Sequence, residues 1–373
     1  MGTLPALQLP ARAAKWGGRG NLRGSVAAKA LPDLLCLGYQ DRMPEFVSAP
    51  RRTRAVATVC GRVRIGAGAH LGASSVIRGD GQDVQIGDDF FLGERSTIHV
   101  AHLLLPTTIG AGVTVGCNAV LRACTIGDRV VVEDNVVIQE GASVGAGSVL
   151  EKNSLVTAGA QLAAGNLYRG NPAVAVRRLE AGELQILRAR VRNAPAPETP
   201  SLGGLVPPVT RPQGFVALTA KVEGRLQLAT DASVWFGAWI DGGRHGVSVG
   251  EGSNLQDNCT AYAMASPLQI GACVTVGHNV SLQDCSIGDH SMIGMSSFVA
   301  AGSVVESDVI LTAGSATLPR QVLRTGWVWG GKPARALAPM NPERRRLVEV
   351  SARVTRDYAE GFRRSIADFS GWN

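Results

Sequence analysis

Between residues 126 and 162 the chain reads IGDRVVVEDNVVIQEGASVGAGSVLEKNSLVTAGAQL, with an aliphatic residue at every sixth position. These positions are Ile126, Val132, Ile138, Val144, Leu150, Val156 and Leu162. An amphipathic helix repeats its apolar residues about every 3.6 positions, and a half-buried strand repeats them at every second position. A period of six fits neither element. It predicts a triangular solenoid, in which each hexapeptide forms one short strand and one corner, and three hexapeptides form one coil.

The same period occupies two blocks of the chain. Further positions are Ile65, Leu71, Ile77, Ile86, Leu92, Ile98, Ile109, Val115 and Leu121 in the first block, and Ile270, Val276, Leu282, Ile287, Ile293, Val299, Val305 and Leu311 in the second. The blocks also match outside the period, since GNPA at 170–173 corresponds to GKPA at 331–334. The sequence therefore predicts an all-β solenoid made of two tandem left-handed parallel β-helices, each followed by an α-helix.

Four segments follow from these blocks. We expect a basic N-terminal arm over 1–54, a first β-helix lobe with its C-terminal helix over 55–192, and a Pro/Gly-rich linker over 193–213. The second lobe, over 214–373, ends in an amphipathic helix that begins at Asn341. Its apolar stripe is expected to pack on a solenoid face or on a neighbouring subunit, and consists of Leu347, Val350, Val354, Tyr358, Phe362 and Ile366.

The charge is concentrated at the N-terminus. The chain has a net charge of +7, yet residues 1–64 alone hold eleven Lys/Arg against three acidic residues. The first 32 residues hold five Lys/Arg and no acid, which is typical of a mitochondrial transit peptide, with an ordinary basic arm as the alternative. A basic arm on a near-neutral body suits an anionic membrane surface or an acidic partner. It does not suit nucleic acid, because the basic residues are neither interleaved with aromatic residues nor placed in a known module.

The cysteines exclude two kinds of site. There are seven, an odd number, and no C-x-x-C motif is present. This pattern predicts free and mostly buried thiols rather than a disulfide framework or a zinc knuckle. No apolar run approaches about 18 residues, so no membrane-spanning segment is expected.

Several short motifs resemble the γ-class carbonic anhydrases. They are RGD at 78–80, IG at 86–87, IHV at 98–100, PTTIG at 106–110, LYRGNPA at 167–173 and VWGGKPAR at 328–335. The resemblance covers roughly residues 55–192 and 215–365. The last motif and the helix after it, with SARVTRDY, look most like the γ-carbonic-anhydrase-like subunits of mitochondrial respiratory complex I.

In that family three histidines bind zinc where two subunits of a trimer meet, and a water with a lowered pKa takes the fourth position. The resemblance places His99, Cys117 and Arg122 at the ligand positions of the first lobe, and Tyr262, His278 and Gln283 at those of the second. Neither set is intact. A set mixed between the lobes would bring His99 and Arg122 to His278, which is two histidines and a cation. We therefore expect no metal site, no cofactor and no catalytic residue.

The positions that support the family's site are retained in a complementary way. The first lobe keeps Arg78 and Asp80, the family's salt bridge near the site, and the second lobe keeps Asn254, Gln256 and Asp257. The replaced positions are Phe91 and Gly93 in the first lobe, and Asp241 and Gly243 in the second. The retained histidines are accordingly expected to serve as packing or hydrogen-bonding groups at an interface.

Three functions are compatible with this sequence. The favoured one is a non-catalytic structural or assembly subunit of a trimeric module in mitochondrial respiratory complex I, on the matrix side of the inner membrane. Its partners would be other γ-carbonic-anhydrase-like subunits in a pseudo-threefold ring within a membrane-associated complex. The alternatives are a hexapeptide-repeat acyltransferase, with His99 or His278 as a base, and a residual γ-type carbonic anhydrase with a non-standard metal site. A bacterial cytoplasm is the alternative location.

Overall fold

A computed structural model describes residues 34–40, 42–50, 56–102, 104–195 and 214–367. Most of the predicted arm and of the predicted linker lie outside these ranges. The described residues form two β-solenoids and two helices, which confirms the predicted fold class. All seven cysteines lie in the described ranges and none forms a disulfide. Of the two helices in this part of the chain, neither is long and apolar enough to cross a membrane.

The first lobe contains nineteen strands. In chain order they are β1 Leu34–Leu37, β2 Glu45–Phe46, β3 Ala57–Ile65, β4 His70–Leu71, β5 Val76–Ile86, β6 Phe91–Leu92, β7 Thr97–His99, β8 Thr107–Ile109, β9 Thr114–Val115, β10 Val120–Arg122, β11 Thr125–Ile126, β12 Val131–Val132, β13 Val137–Ile138, β14 Ser143–Val144, β15 Val149–Leu150, β16 Leu155–Val156, β17 Gln161–Leu162, β18 Asn166–Arg169 and β19 Val174–Arg178.

These strands form three walls. The first wall runs β16-β13-β10-β7-β5 and includes β1 and β3, the second runs β5-β8-β11-β14-β17, and the third runs β19-β18-β15-β12-β9-β6-β4. The long strands β3 and β5 turn a corner and belong to the first and second walls. All pairs are parallel except β18 with β19, which close the lobe as a hairpin. The third wall is covered by helix α1, Glu183–Asn193, through Leu184, Leu187 and Val191.

The second lobe repeats this plan. Its strands are β20 Gly214–Val216, β21 Lys221–Glu223, β22 Leu226–Leu228, β23 Ala232–Val234, β24 Trp239–Asp241, β25 Val247–Val249, β26 Asn254–Leu255, β27 Thr260–Tyr262, β28 Leu268–Ile270, β29 Thr275–Val276, β30 Ser281–Gln283, β31 Ser286–Ile287, β32 Met292–Ile293, β33 Phe298–Val299, β34 Val304–Val305, β35 Ile310–Leu311, β36 Val322–Leu323, β37 Trp327–Gly330 and β38 Arg335–Pro339. The equivalent walls are β21-β24-β27-β30-β33 (first), β22-β25-β28-β31-β34-β36 (second) and β20-β23-β26-β29-β32-β35-β37-β38 (third).

The six-residue period is explained by the interior of each lobe. The aliphatic residues of the repeat fill the solenoid axis, and Val132, Ile138 and Leu150 have no exposed surface. The small residue that follows them lies against the next coil. A Cβ added to Gly127 would come within 2.6 Å of the amide nitrogen of Ala146, so a larger side chain does not fit there. Each coil therefore buries its apolar residues only against its own turns and its neighbours.

The boundary of the predicted arm needs a correction. Residues 34–37 form β1, which is buried and pairs in parallel register with β3, so that Leu34 faces Ala57 and Leu37 faces Cys60. The solenoid thus begins inside the segment assigned to the arm. This strand was not predicted, because its four apolar residues, LLCL, carry no hexapeptide spacing.

Helix α2, Pro342–Ala367, joins the two lobes. Its start agrees with the prediction, since the Asn341 side chain accepts a hydrogen bond from the Arg344 N–H at 2.9 Å as an N-cap. The first half packs on the third wall of the second lobe through Val348, whereas Leu347 of the predicted stripe is exposed. The second half reaches the first lobe, where Phe362 packs against Tyr39 with ring centroids 4.9 Å apart.

The two lobes lie side by side and run in the same direction. The first wall of the first lobe faces the corner between the third and first walls of the second lobe. Early coils meet early coils, since Val76 shares a cluster with Trp235, and late coils meet late coils, since Leu155 shares a cluster with Ala313. Asn279 accepts a hydrogen bond from the Thr97 hydroxyl at 3.0 Å between these levels.

Candidate functional site

Five of the residues predicted to be retained family positions meet at this interface. Arg78 and Asp80 lie on β5, and His99 ends β7 directly beside Arg78 in the parallel register of the first wall. Asp257 and His278 occupy the facing corner of the second lobe, just after β26 and β29. All five side chains are buried. The solenoid positions them because Arg78 and His99 are register partners in adjacent coils, and Asp257 and His278 each come two residues after the register partners Leu255 and Val276.

An arginine from the first lobe links carboxylates from both lobes. Arg78 Nε donates to Asp80 at 2.9 Å, Nη1 donates to Asp257 at 2.8 Å, and Nη2 also contacts Asp80. The guanidinium carbon lies 4.0 Å from the centre of the Trp235 ring, a cation–π distance. Asp257 accepts a further hydrogen bond from the Phe236 N–H at 3.1 Å. Carboxylates on two sides and an aromatic ring over its face thus offset the cost of burying the Arg78 charge.

The two histidines bridge the same carboxylates by a second route. His99 Nε2 lies 2.8 Å from Asp80, and His99 Nδ1 lies 3.2 Å from His278 Nε2. His278 Nδ1 lies 3.2 Å from Asp257. The order is therefore carboxylate, imidazole, imidazole, carboxylate, with one of each from each lobe. We call these five residues (Arg78, Asp80, His99, Asp257 and His278) the interlobe network.

Burial sets the charge of the network. It lowers the pKa of His278 to about 4, although the Asp257 carboxylate acts in the opposite direction, and it lowers the pKa of His99 as well. Burial alone would raise the pKa of Asp80, but the charge of Arg78 and the contact with His99 outweigh it and hold this pKa well below its usual range. Both histidines are therefore neutral near pH 7, while Arg78, Asp80 and Asp257 are charged.

Two neutral imidazoles carry two N–H groups for three contacts. If His99 Nε2 donates to Asp80, its Nδ1 accepts from His278 Nε2, and no proton is left for His278 Nδ1. This nitrogen has no hydrogen-bond partner within the described ranges. The tautomers that allow the His99–Asp80 and His99–His278 hydrogen bonds thus explain why His278 Nδ1 makes no hydrogen bond to Asp257.

The network does not fit the family's zinc site. In the arrangement described, both ring nitrogens of His99 are engaged by Asp80 and His278, so His99 offers no free lone pair to a metal. Arg122, predicted at the third ligand position, stands beside His99 on β10 and pairs with Glu140 at 3.0 Å. Within the part of the chain that the structure describes, no group of three His, Cys, Asp or Glu side chains is placed to hold a metal ion.

The remaining predicted positions lie elsewhere. Cys117 is half-buried at the equivalent corner of the first lobe, and burial raises its pKa to about 11, so it is a thiol at neutral pH. Tyr262 and Gln283 pair on the first wall of the second lobe, away from His278. Asp241 lies in the same register as Tyr262. Burial raises the pKa of Tyr262, although the Arg95 cation of the first lobe acts in the opposite direction.

Of the residues predicted to support the family's site, Arg78, Asp80 and Asp257 belong to the interlobe network, whereas Asn254 and Gln256 do not. Asn254 is buried and its amide donates to Thr275 at 3.2 Å within the second lobe, and Gln256 is half-buried nearby. Among the described residues, neither hydrogen-bonds to a network histidine. Phe91 lies on the third wall of the first lobe, stacked on His70 with ring centroids 4.6 Å apart. Gly93 and Gly243 carry no side chain that could contribute.

Two aromatic residues of the site were not predicted as site residues. Trp235 covers the Arg78 guanidinium, and Tyr358 of α2 packs on His99 with ring centroids 5.8 Å apart and on His102 at 5.3 Å. Burial raises the pKa of Tyr358, which therefore stays neutral. The apolar stripe of α2 predicted that Tyr358 is packed, but no sequence signal identified the residues against which it packs.

Known proteins resemble parts of this chain. A family model described as "Hexapeptide repeat of succinyl-transferase" matches residues 83–123 and 106–140. "Gamma carbonic anhydrase 1, mitochondrial" of Arabidopsis thaliana is 34% identical over 152 residues, which are 39% of this chain and 55% of that protein. "Protein YrdA" of Escherichia coli strain K12 is 34% identical over 139 residues, which are 35% of this chain and 76% of that protein. The chain thus spans about half the length of the Arabidopsis relative.

Solved structures also resemble parts of this chain. A hexapeptide transferase family protein from Anaplasma phagocytophilum is 31% identical, and the match covers 40% of this chain and 92% of that one with a TM-score of 0.36. The matches to the Arabidopsis and Escherichia coli proteins cover 39% and 35% of the chain. This share is about the size of one lobe.

Proposed function

The chain belongs to the γ-carbonic anhydrase-like family of hexapeptide-repeat proteins, and from this premise we propose that it is a non-catalytic structural subunit of a trimeric module. The observation that carries the proposal is the interlobe network. It joins the ligand positions His99 and His278 to carboxylates and to each other, and Arg122 stands where a third neutral ligand is needed. Generating a zinc-bound hydroxide requires three ligand lone pairs and an open position.

The same residues serve instead to hold the lobes together. Arg78, Asp80 and Asp257 form a buried ion cluster across the interface, in which removal of Arg78 would leave two carboxylates without their cation. Such a cluster also fixes the register of the two solenoids, because its hydrogen bonds form only when the coils stand at the same level. In this proposal the interlobe network stabilises the contact between the two lobes and does not bind a metal.

We further propose that the chain supplies two members of a pseudo-threefold ring, and that a separate single-lobe protein of the same family supplies the third. The lobes already pack wall against corner, side by side. The equivalent wall of the second lobe, with Tyr262 and Phe298 partly exposed, and the equivalent corner of the first lobe, with Cys117, remain for a third lobe. Between them lies a groove of about 380 Å³, lined by Asn118 and Ser281 among others.

We propose a mitochondrial location, within respiratory complex I. The support is the resemblance of the VWGGKPAR motif and its helix to subunits of that complex, the basic acid-free N-terminus, and the mitochondrial names of the Arabidopsis relatives. The bacterial relative leaves a bacterial cytoplasm as the alternative.

Metal content together with CO₂ hydration tests the absence of catalysis. The full chain is purified with zinc present and without chelators, and a zinc-loaded γ-class carbonic anhydrase is treated in parallel as the positive control. We expect no stoichiometric zinc, cobalt or iron and no hydration above background. One tightly bound metal per chain, with hydration that His99→Gln and His278→Gln abolish, would establish the residual metalloenzyme instead.

A further inference from the structure

Both solenoids end on the same side of the molecule. Because the lobes run in the same direction and in register, the hairpin β18–β19 of the first lobe lies beside the hairpin β37–β38 of the second. A Cβ added to Gly314 would lie 3.5 Å from the Asn171 amide, and Asn171 and Lys332 line one groove. We call the surface formed by residues 169–179 and 318–340 the terminal face.

The terminal face is strongly basic. Its two segments contain seven Lys/Arg and no Asp or Glu, in a chain whose overall net charge is +7. Three of the cations are paired, Arg169 with Glu151, Arg177 with Glu183 and Arg324 with Glu306. The other four are exposed and have no carboxylate partner among the described residues. They are Arg178, Arg320, Lys332 and Arg335.

The same surface exposes apolar side chains. Of the twelve large apolar side chains exposed in the described ranges, five lie on the terminal face, with exposed fractions between 42 and 61%. They are Val174, Val176, Leu318, Trp327 and Leu337. A concentration of exposed apolar side chains marks a binding surface. Here the apolar side chains are mixed with unpaired cations, whereas the core of a protein–protein interface is usually depleted in charge.

We propose that the terminal face binds the surface of a membrane that contains anionic lipids. Unpaired arginines attract lipid phosphates, Trp327 combines an apolar ring with a polar N–H as interfacial tryptophans do, and the aliphatic side chains enter the headgroup boundary. No acidic residue of these segments opposes the contact. Membrane binding by the terminal face requires only the two lobes of this chain. It depends neither on the proposed third lobe nor on the absence of catalysis.

The test measures binding of the full chain to vesicles of phosphatidylcholine alone and of phosphatidylcholine mixed with phosphatidylserine. We expect binding only to the mixed vesicles, weakening as salt is added. The double variant Arg178→Glu and Arg335→Glu should bind at least about tenfold more weakly. The matched control is Arg225→Glu and Arg244→Glu, two exposed arginines in the early coils of the second lobe. It makes the same charge change and should bind like the original chain.

Hydrogen exchange localises the contact independently of the basic N-terminus, which is identical in all the variants. Amides of β19 and β38 should become protected when mixed vesicles are added. Thermal unfolding confirms that both double variants are folded. Equal binding to both vesicle types, an equal loss in both double variants, or unchanged exchange at β19 and β38 would each overturn the proposal. Protection of these strands by a protein partner without lipid would assign the face to that partner instead.

Discussion

His99 of the first lobe and His278 of the second lie 3.2 Å apart, Nδ1 to Nε2, inside a single chain. Each is the one histidine that its lobe is predicted to retain at the family's ligand positions. Their meeting agrees with the arrangement expected when the two incomplete sets are combined across an interface. What the sequence did not indicate is that each ring lies against a carboxylate of its own lobe on its other side. Asp80 is within hydrogen-bond distance of His99 at 2.8 Å, and Asp257 lies 3.2 Å from His278 Nδ1.

Loss of the Arg78 charge should destabilise the fold strongly. Arg78→Met leaves two buried carboxylates without their cation, so we expect the free energy of unfolding to fall by about 3–5 kcal/mol. Denaturant unfolding measures the change. Arg345→Met is the matched control, because Arg345 pairs with Asp308 on the surface and its loss should cost under about 1 kcal/mol. Similar losses in the two variants would mean that the interlobe network does not stabilise the chain.

The stability of the protein should fall as the pH drops from about 6.5 towards 4. The folded pKa of His278, about 4, lies below its unfolded value, so the unfolded state binds more protons in this interval and stability rises with pH. The pKa values of Asp80 and Asp257 are also lowered, but they change the stability only at pH values below their unfolded pKa, which lies below this interval. Unfolding measured across the interval should have a smaller pH slope in His278→Gln. An unchanged slope would show that His278 titrates normally in the folded state.

The proposed ring makes a prediction about mass. Native mass spectrometry of the assembly taken from its source should give one copy of this chain with one single-lobe protein. Phe298→Glu, on the first wall of the second lobe, should prevent this assembly while leaving the chain folded. Val304→Glu changes a similarly exposed residue on the second wall and should assemble normally. A mass of three copies of this chain and nothing else would contradict the mixed ring.

Two N-terminal deletions should behave differently. Removal of residues 1–32 takes away the acid-free basic segment but leaves β1, so the thermal midpoint should stay nearly unchanged while delivery or assembly fails. Removal of residues 1–40 also deletes the buried Leu34, Leu35 and Leu37 and should cost more than about 3 kcal/mol. Thermal unfolding and localisation of the two chains separate these roles. Loss of folding in the shorter deletion would assign a structural role to the segment before β1.

The parts of this structure that follow a local rule were predictable, and the parts that depend on packing between distant segments were not. The hexapeptide period gave the two lobes because Val132 and its equivalents must face the axis of each coil. Trp235 over Arg78 and Tyr358 on His99 depend on how one lobe and α2 rest on the other, which no spacing encodes. The strand β1 was missed for a different reason, since a short apolar run is equally suited to a strand or a buried helix.

The interlobe network also changes how the interface can evolve. In a ring of identical subunits every substitution appears three times, so a charge introduced at the interface must be tolerated at all three contacts at once. Here the two lobes are parts of one gene product but separate stretches of it. Arg78 and Asp80 could be retained on one lobe while the corresponding positions of the other became Asp241 and Gly243. In the proposed ring, two lobes in one chain can therefore mutate independently of each other at each contact.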